Sequence, residues 1–252
     1  MTDLGDTQLI GCLNEESVLA WYGKAIALLP GLGAVALELE PFDEAFMARE
    51  NAIFPEWLLG QHLQLTLSDE EQQLLAETFA CLTASNLAQP QGVMHRDFHS
   101  RNLMVCGGTN PKESDLALID FQDMVIGPLS YDLVSLLKDC YVRWPDAVIE
   151  QGMRLGFDTL QEAGLLGNLD YAAFRRAADL TGMQRHLKAA GLFTRLYHRD
   201  GKAGYLKDIP RTLGYVVDVC RSHGAAYPVL ARFGQWLEQV VLPGLARTGV
   251  TP

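Results

Sequence analysis

Residues 93–105 read Val-Met-His-Arg-Asp-Phe-His-Ser-Arg-Asn-Leu-Met-Val, and residues 116–123 read Leu-Ala-Leu-Ile-Asp-Phe-Gln-Asp. Leu103-Met104-Val105 and Leu116-Ala-Leu-Ile119 are short apolar runs. The segment between them, Gly107-Gly-Thr-Asn-Pro-Lys-Glu-Ser-Asp115, is dense in turn-forming residues. Two apolar runs joined by such a spacer predict a β-hairpin. The hairpin returns Asp120 to the loop that holds Asp97 and Asn102, so two carboxylates and one carboxamide meet where the strands end.

Outward from this stretch the pattern is helical. Asn14-Glu15-Glu16 opens a helix, with Asn as cap and acidic residues in the first turn. Val18, Leu19, Tyr22, Ala25, Ile26 and Leu29 follow at helical spacing, up to Pro30-Gly31. A second helix starts at Pro41-Phe-Asp43, and Pro55 breaks or restarts it. Ser68-Asp-Glu-Glu71 is a capping box for a helix to about Asn86. Gln89-Pro-Gln-Gly92 is a turn, and Val93-Met94 leads into the loop. Beyond Tyr131, helices are predicted near 131–142, 146–164, 170–189, 209–222 and 227–241. The expected class is α+β, mainly α, with one hairpin embedded among helices and a helical bundle after it.

The 252 residues suffice for one large domain or two small ones. No apolar run is long enough for a membrane span. The acidic start, Met-Thr-Asp-Leu-Gly-Asp, does not read as a secretory signal. Cys12, Cys81, Cys106, Cys140 and Cys220 are scattered and form no C-x-x-C pair, so a reduced, cytoplasmic setting is expected. A net charge of −11 argues against nucleic-acid or anionic-membrane partners and leaves a small-molecule substrate.

His95-Arg96-Asp97 with Asn102 at the fifth following position matches the H-R-D-x-x-x-x-N catalytic loop of protein kinases, and Asp120-Phe121 stands where those enzymes have Asp-Phe-Gly. Phosphoryl transfer to a hydroxyl needs a group to take the proton, in-line placement and neutralised phosphate charge. Asp97 suits the base. Asn102 and Asp120 offer the hard oxygens that Mg²⁺ prefers, together with those of ATP. Alternatively, both carboxylates cap backbone N–H groups at turns.

The neighbouring polar residues have two readings each. His95 is read as structural support for the loop. His99 either approaches a phosphate or substrate, or only shapes the loop. Asp123 is a metal-supporting or substrate group, or a turn residue. Asp132 caps a helix or pins the loop. Met94, Met104 and Met124 are core filling. Gly31-Leu-Gly33 invites a phosphate-loop reading, but it lacks the third glycine and a preceding β run and follows a helix, so it is read as a glycine turn ending that helix.

Leu-Ile-Asp-Phe-Gln-Asp123 together with Gly127-Pro-Leu-Ser-Tyr-Asp-Leu-Val-Ser-Leu-Leu-Lys-Asp-Cys-Tyr141 resembles the aminoglycoside phosphotransferase and choline kinase superfamily. Many members have His-Gly-Asp where this chain has His95-Arg96-Asp97. The Arg variant, with Phe42-Asp-Glu-Ala-Phe-Met-Ala-Arg-Glu50 and Phe54-Pro-Glu-Trp57, is most similar to the anomeric kinases of N-acetylmuramate and N-acetylglucosamine. The resemblance implies the C-terminal lobe of a protein-kinase-like fold, with the loop at 93–105, the metal segment at 116–123 and a helical subdomain at 131–243. It implies an ATP- and Mg²⁺-dependent sugar kinase of cell-wall recycling, with Asp97 as base and Asn102 and Asp120 as ligands. Arg49 and Glu50 match less securely, as substrate contacts or as helix-surface residues.

Asp3-Leu4-Gly5-Asp6 resembles the hinge between lobes, so residues 1–12 are read as its remnant. The Gly-rich loop and phosphate-pairing Lys of such kinases have no counterpart in this chain. An apolar surface exposed by that difference would favour a homodimer. Two alternatives are a kinase for another small alcohol, such as an aminoglycoside, choline or a homoserine-like acceptor, and a fragment that binds ligand without transfer.

Overall fold

In a computed structural model that describes residues 4–34 and 38–250, helices dominate around four short strands. In chain order they are α1 (Val18–Ile26), α2 (Glu44–Asn51), α3 (Asp69–Leu87), β1 (Gln91–Met94), β2 (Leu103–Cys106), β3 (Asp115–Leu118), β4 (Val125–Pro128), α4 (Ser130–Leu137), α5 (Asp146–Glu162), α6 (Tyr171–Asp200), α7 (Ile209–His223), α8 (Pro228–Trp236) and α9 (Leu242–Arg247). Wider helical turns run over Phe54–His62 and Leu237–Val241, and tighter ones over Leu9–Cys12, Leu29–Ala34 and Ala203–Asp208. Asp3 of the hinge-like segment lies outside the described residues. The α+β, mainly α class holds.

The chain forms two compact units. The first comprises residues 1–42 and 89–178 and contains the loop. The hairpin is there: β2 and β3 pair antiparallel, Leu103 opposite Leu118 and Cys106 opposite Asp115. A second two-stranded sheet, which the residue pattern does not announce, joins β1 to β4 with Met94 opposite Val125. Residues 40–42 extend it, since Phe42 N–H donates to Ile126 O at 2.7 Å and Ile126 N–H to Glu40 O at 2.9 Å. Residues 7–10 brace the hairpin and loop. Val105 N–H donates to Thr7 O at 2.8 Å, and Ile10 N–H to Ser100 O at 3.0 Å.

Helix α4 is buried at every residue, which is unusual for a helix carrying Ser130, Asp132 and Ser135. It accepts α5 closely because α5 presents Gly156 to Leu133, where an added Cβ would meet Leu133 Cδ2 at 2.4 Å. Trp21, Tyr22, Phe98, Leu133 and Leu137 form the apolar interior of this unit. Trp144 Nε1 donates to Tyr22 Oη at 2.8 Å, which satisfies both polar tips inside that interior.

The second unit comprises residues 43–88 and 179–252. Asp43 caps α2, its Oδ1 accepting from Phe46 N–H at 2.8 Å. The Ser68 capping box of α3 is closed in both directions, and Trp236 Nε1 donates to Glu71 Oε1 at 2.7 Å. Helix α6 runs eleven residues beyond the expected end near 189, to Asp200. Gly191 does not break it. An added Cβ there would lie 2.5 Å from Ile53 O, so the glycine permits close backbone approach. Gly31 and Gly33 sit in a tight 3-10 turn, and neither has the positive φ of a glycine helix cap.

Candidate active site

Strand β1 feeds directly into the loop, and β4 feeds directly into α4. In the antiparallel pair Met94 lies opposite Val125 and Pro128 opposite Gln91, so α4 starts at the far end of β1, and its first turn reaches back to the start of the loop. There the Asp132 carboxylate, 3 % exposed, accepts from His95 N–H at 2.6 Å and Arg96 N–H at 3.0 Å. Just past the end of α4, fully buried Asp139 accepts from Ser100 N–H at 3.1 Å, from Ser100 Oγ–H at 2.5 Å and from Tyr141 N–H at 2.9 Å. One carboxylate takes the amides of residues 95 and 96 and the other that of residue 100, so the two grip the loop on either side of Asp97. Charge-assisted bonds of this kind are stronger than neutral ones.

The loop is also strained. Arg96 has φ +74° and Asp120 φ +69°, in the left-handed region that suits glycine or asparagine. Non-glycine residues held there cost roughly 1–3 kcal/mol each and cluster at functional sites. The loop pays for Arg96 with the Asp132 bonds and with Arg96 Nη1 donating to Asp123 O at 3.2 Å. The Asp123 carbonyl makes this tie, while its side chain stands exposed.

Asn102 joins the parts. Its Nδ2 donates to Asp97 O at 3.1 Å and to Asp120 Oδ2 at 3.3 Å. Two acceptors on the nitrogen orient the amide and turn its carbonyl oxygen elsewhere. Ile119 N–H donates to Asn102 O at 3.0 Å, so the end of the hairpin is tied to the loop by backbone as well. Gln122 Nε2 holds the other Asp120 oxygen at 2.7 Å. The structure thus brings Asp97, Asn102 and Asp120 together. Asp97 is half-buried, and its carboxylate forms no ion pair among the described residues. Asp120 is exposed.

No cluster of three or more His, Cys, Asp or Glu side chains suited to a metal exists among the described residues. One carboxylate beside one carboxamide fits Mg²⁺, which keeps several waters and takes phosphate oxygens instead of filling a protein cage.

His95 is fully buried, its ring edge-on to Phe98 at 6.3 Å. Neither ring nitrogen closes a hydrogen bond among the described residues, although the Ile119 and Asp97 backbones lie near enough to favour a proton slightly. Burial dominates and pushes the imidazole below its ordinary pKa of 6.5, against the opposing charges of Asp97 and Asp120. His99 turns its ring edge-on to Tyr141 at 5.3 Å.

Arg49 and Glu50 lie in the second unit. Arg49 is exposed, its guanidinium 5.0 Å from the Phe46 ring centre. Glu50 is no helix-surface residue. It is 5 % exposed and pairs with Lys188 Nζ at 2.6 Å. Gln184 Nε2 reaches Glu50 at 3.5 Å and Asn51 at 3.1 Å. Reading the residues alone missed Asp139 and Tyr141. Asp139 lies two residues past the end of α4, so helical periodicity carries no signal for either residue.

The chain belongs to the phosphotransferase enzyme family, whose model matches residues 1–166. It is 36 % identical over 240 residues to an N-acetylmuramate/N-acetylglucosamine kinase of Pseudomonas putida, covering 94 % of this chain and 68 % of that one. A protein of the same name from Neisseria meningitidis is 37 % identical, covering 92 % and 69 %. Among solved structures, a Plasmodium vivax ethanolamine kinase superposes with TM-score 0.58 at 12 % identity, covering 87 % of this chain and 63 % of that one. The ADP-bound aminoglycoside phosphotransferase APH(2'')-Ib gives 0.50 at 15 %, covering 85 % and 70 %. At such identities the likeness concerns the fold. No helix of the described residues is long and apolar enough to cross a membrane.

Proposed function

We propose that the protein transfers the terminal phosphoryl group of ATP to a hydroxyl of an amino sugar, the anomeric hydroxyl of N-acetylmuramate or N-acetylglucosamine, in cytoplasmic recycling of cell-wall sugars. The observation that carries the reading is the Asn102 amide, bound at once to the Asp97 carbonyl and the Asp120 carboxylate. One side chain thereby couples the loop of the base to the segment of the metal ligand. The names of relatives at 36–37 % identity support the choice of sugar.

In this reading Asp97 accepts the proton of the sugar hydroxyl as its oxygen bonds to the γ-phosphorus. The bond from that phosphorus to the β,γ-bridging oxygen breaks, and ADP leaves. Asn102 and Asp120 would hold Mg²⁺, which when bound supplies positive charge against the phosphate oxygens. Asp132 and Asp139 keep the loop in place, so little reorganisation is needed at the moment of transfer.

The test is a transfer screen with Mg-ATP and a panel of N-acetylmuramate, N-acetylglucosamine, an aminoglycoside, choline and homoserine, read by phosphorus NMR. A sugar 1-phosphate is expected from the first two. Transfer only to another alcohol would move the protein to a different branch of the family. Binding of ATP and sugar without transfer would replace the enzyme reading with that of a ligand-binding protein.

A further inference from the structure

The loop carries a cation that the reading above leaves without a task. Arg101 lies between Ser100, which Asp139 holds, and Asn102, which faces Asp120. Its guanidinium stacks on the ring of Tyr141, with Cζ 3.6 Å from the ring centre. The same Asp139 carboxylate fixes the Tyr141 backbone at 2.9 Å. A single buried anchor therefore sets both the loop and the platform on which Arg101 rests.

Other arginines in this chain spend their charge on carboxylates: Arg175 on Glu150, Arg211 on Asp208, Arg232 on Glu77. Arg101 has no such partner among the described residues, although the chain contains 31 acidic residues. It is half-buried, so its stem is held while its fork stays accessible. Stacking on an aromatic face fixes the plane of a guanidinium and removes much of the freedom that binding would otherwise cost. A planar fork held in this way, unpaired and four residues from Asp97, has the geometry that recognises a carboxylate or phosphate through two parallel hydrogen bonds.

We propose that Arg101, braced on Tyr141, is an anion-recognition residue of the transfer site, taking either the carboxylate of an acidic amino sugar or a phosphate of the nucleotide. The inference rests on the kinase reading above and adds a specificity-determining residue to it. N-acetylmuramate carries a carboxylate and N-acetylglucosamine does not, so the two sugars separate the sources of the anion.

The experiment compares the protein with Arg101→Gln and Arg101→Lys, measuring kcat/KM for both sugars and equilibrium binding of Mg-ATP and of N-acetylmuramate. If the anion is the sugar carboxylate, Arg101→Gln lowers the N-acetylmuramate to N-acetylglucosamine ratio ten- to hundredfold. Arg101→Lys, which keeps charge but not the fork, recovers only part of that loss. If the anion is phosphate, the ratio stays constant, and Mg-ATP binding weakens by a similar factor. Tyr141→Leu should move the same quantity in the same direction, and Tyr141→Phe should restore it. Changes below twofold in both the ratio and Mg-ATP binding would overturn the proposal. Should the unmodified protein phosphorylate neither sugar, the sugar-kinase reading fails by itself. The role of Arg101 is then decided by the two titrations: weakened binding of either ligand in Arg101→Gln sustains it, and unchanged binding, or no binding by the unmodified protein, overturns it.

Discussion

Asp132 holds Arg96 in a conformation that arginine rarely adopts. The carboxylate accepts the Arg96 backbone N–H at 3.0 Å, and Arg96 stands at φ +74°. Because the same carboxylate also takes His95 N–H, the strained turn into Asp97 depends on one buried side chain. Removing it leaves two backbone donors without their acceptor, at about 1–3 kcal/mol each. Asp132→Ala should therefore lose about 2–5 kcal/mol in urea unfolding and tenfold to hundredfold in turnover, through displacement of Asp97. A variant with unchanged stability and full turnover would show that the loop holds itself.

At Arg96 the backbone and the side chain make opposite demands. Glycine relieves the left-handed strain but forfeits the Asp123 tie and adds freedom to the unfolded chain. Arg96→Gly should stay within about 1 kcal/mol of the parent. Arg96→Val should lose about 2 kcal/mol or more, since a β-branched residue tolerates positive φ poorly. Equal stabilities for the two variants in thermal melts would mean that φ at this position does not matter.

Burial lowers the pKa of His95, and of His62, where the nearby His198 charge adds to the effect. The folded protein thus binds these protons less readily than the unfolded chain. Their contribution is fully present above pH 6.5, the ordinary histidine value, and is lost as pH falls through the lower folded-state values. Carboxylates such as Glu71, also shifted down from 4.5, act in a more acidic window. Urea unfolding between pH 7 and pH 5 should show falling stability. His95→Phe, which keeps a ring in the buried slot, should flatten part of that slope. A slope unchanged in this variant would remove His95 from the account.

Gly191→Ala puts a methyl group against the Ile53 carbonyl, a backbone atom that cannot rotate away. Overpacking of this kind costs roughly 1–3 kcal/mol. The loss should appear in thermal unfolding of the protein. Stability equal to the parent, or the gain normally expected for alanine in a helix, would contradict the close approach.

The hairpin from Leu103 to Leu118 was legible because its strands are adjacent in sequence and the spacer between them is rich in turn residues. The pairing of β1 with β4 was not. Each strand has only four residues, and the loop and hairpin lie between them, so no local periodicity records the contact. The extension of α6 past Gly191 was hidden because a glycine in a helix reads as a stop unless the opposing backbone is known. At the candidate site, Asp97, Asn102 and Asp120 stood out by spacing, while Asp139 and Tyr141 act through side-chain contacts that spacing does not encode. The strain at Arg96 left one trace: related loops carry glycine at that position, which is the residue its φ favours.

In the proposed reaction Asp97 takes the acceptor proton during a phosphoryl transfer supported by Asn102 and Asp120. Asp97→Asn keeps the size and the backbone contacts of the loop but removes the base. The direct measurement is kcat for amino-sugar phosphorylation in this variant, with Mg-ATP binding followed in parallel. The expected result is a fall in kcat of about 10²–10⁴-fold, with Mg-ATP affinity within severalfold of the parent. Turnover within threefold of the parent would contradict it.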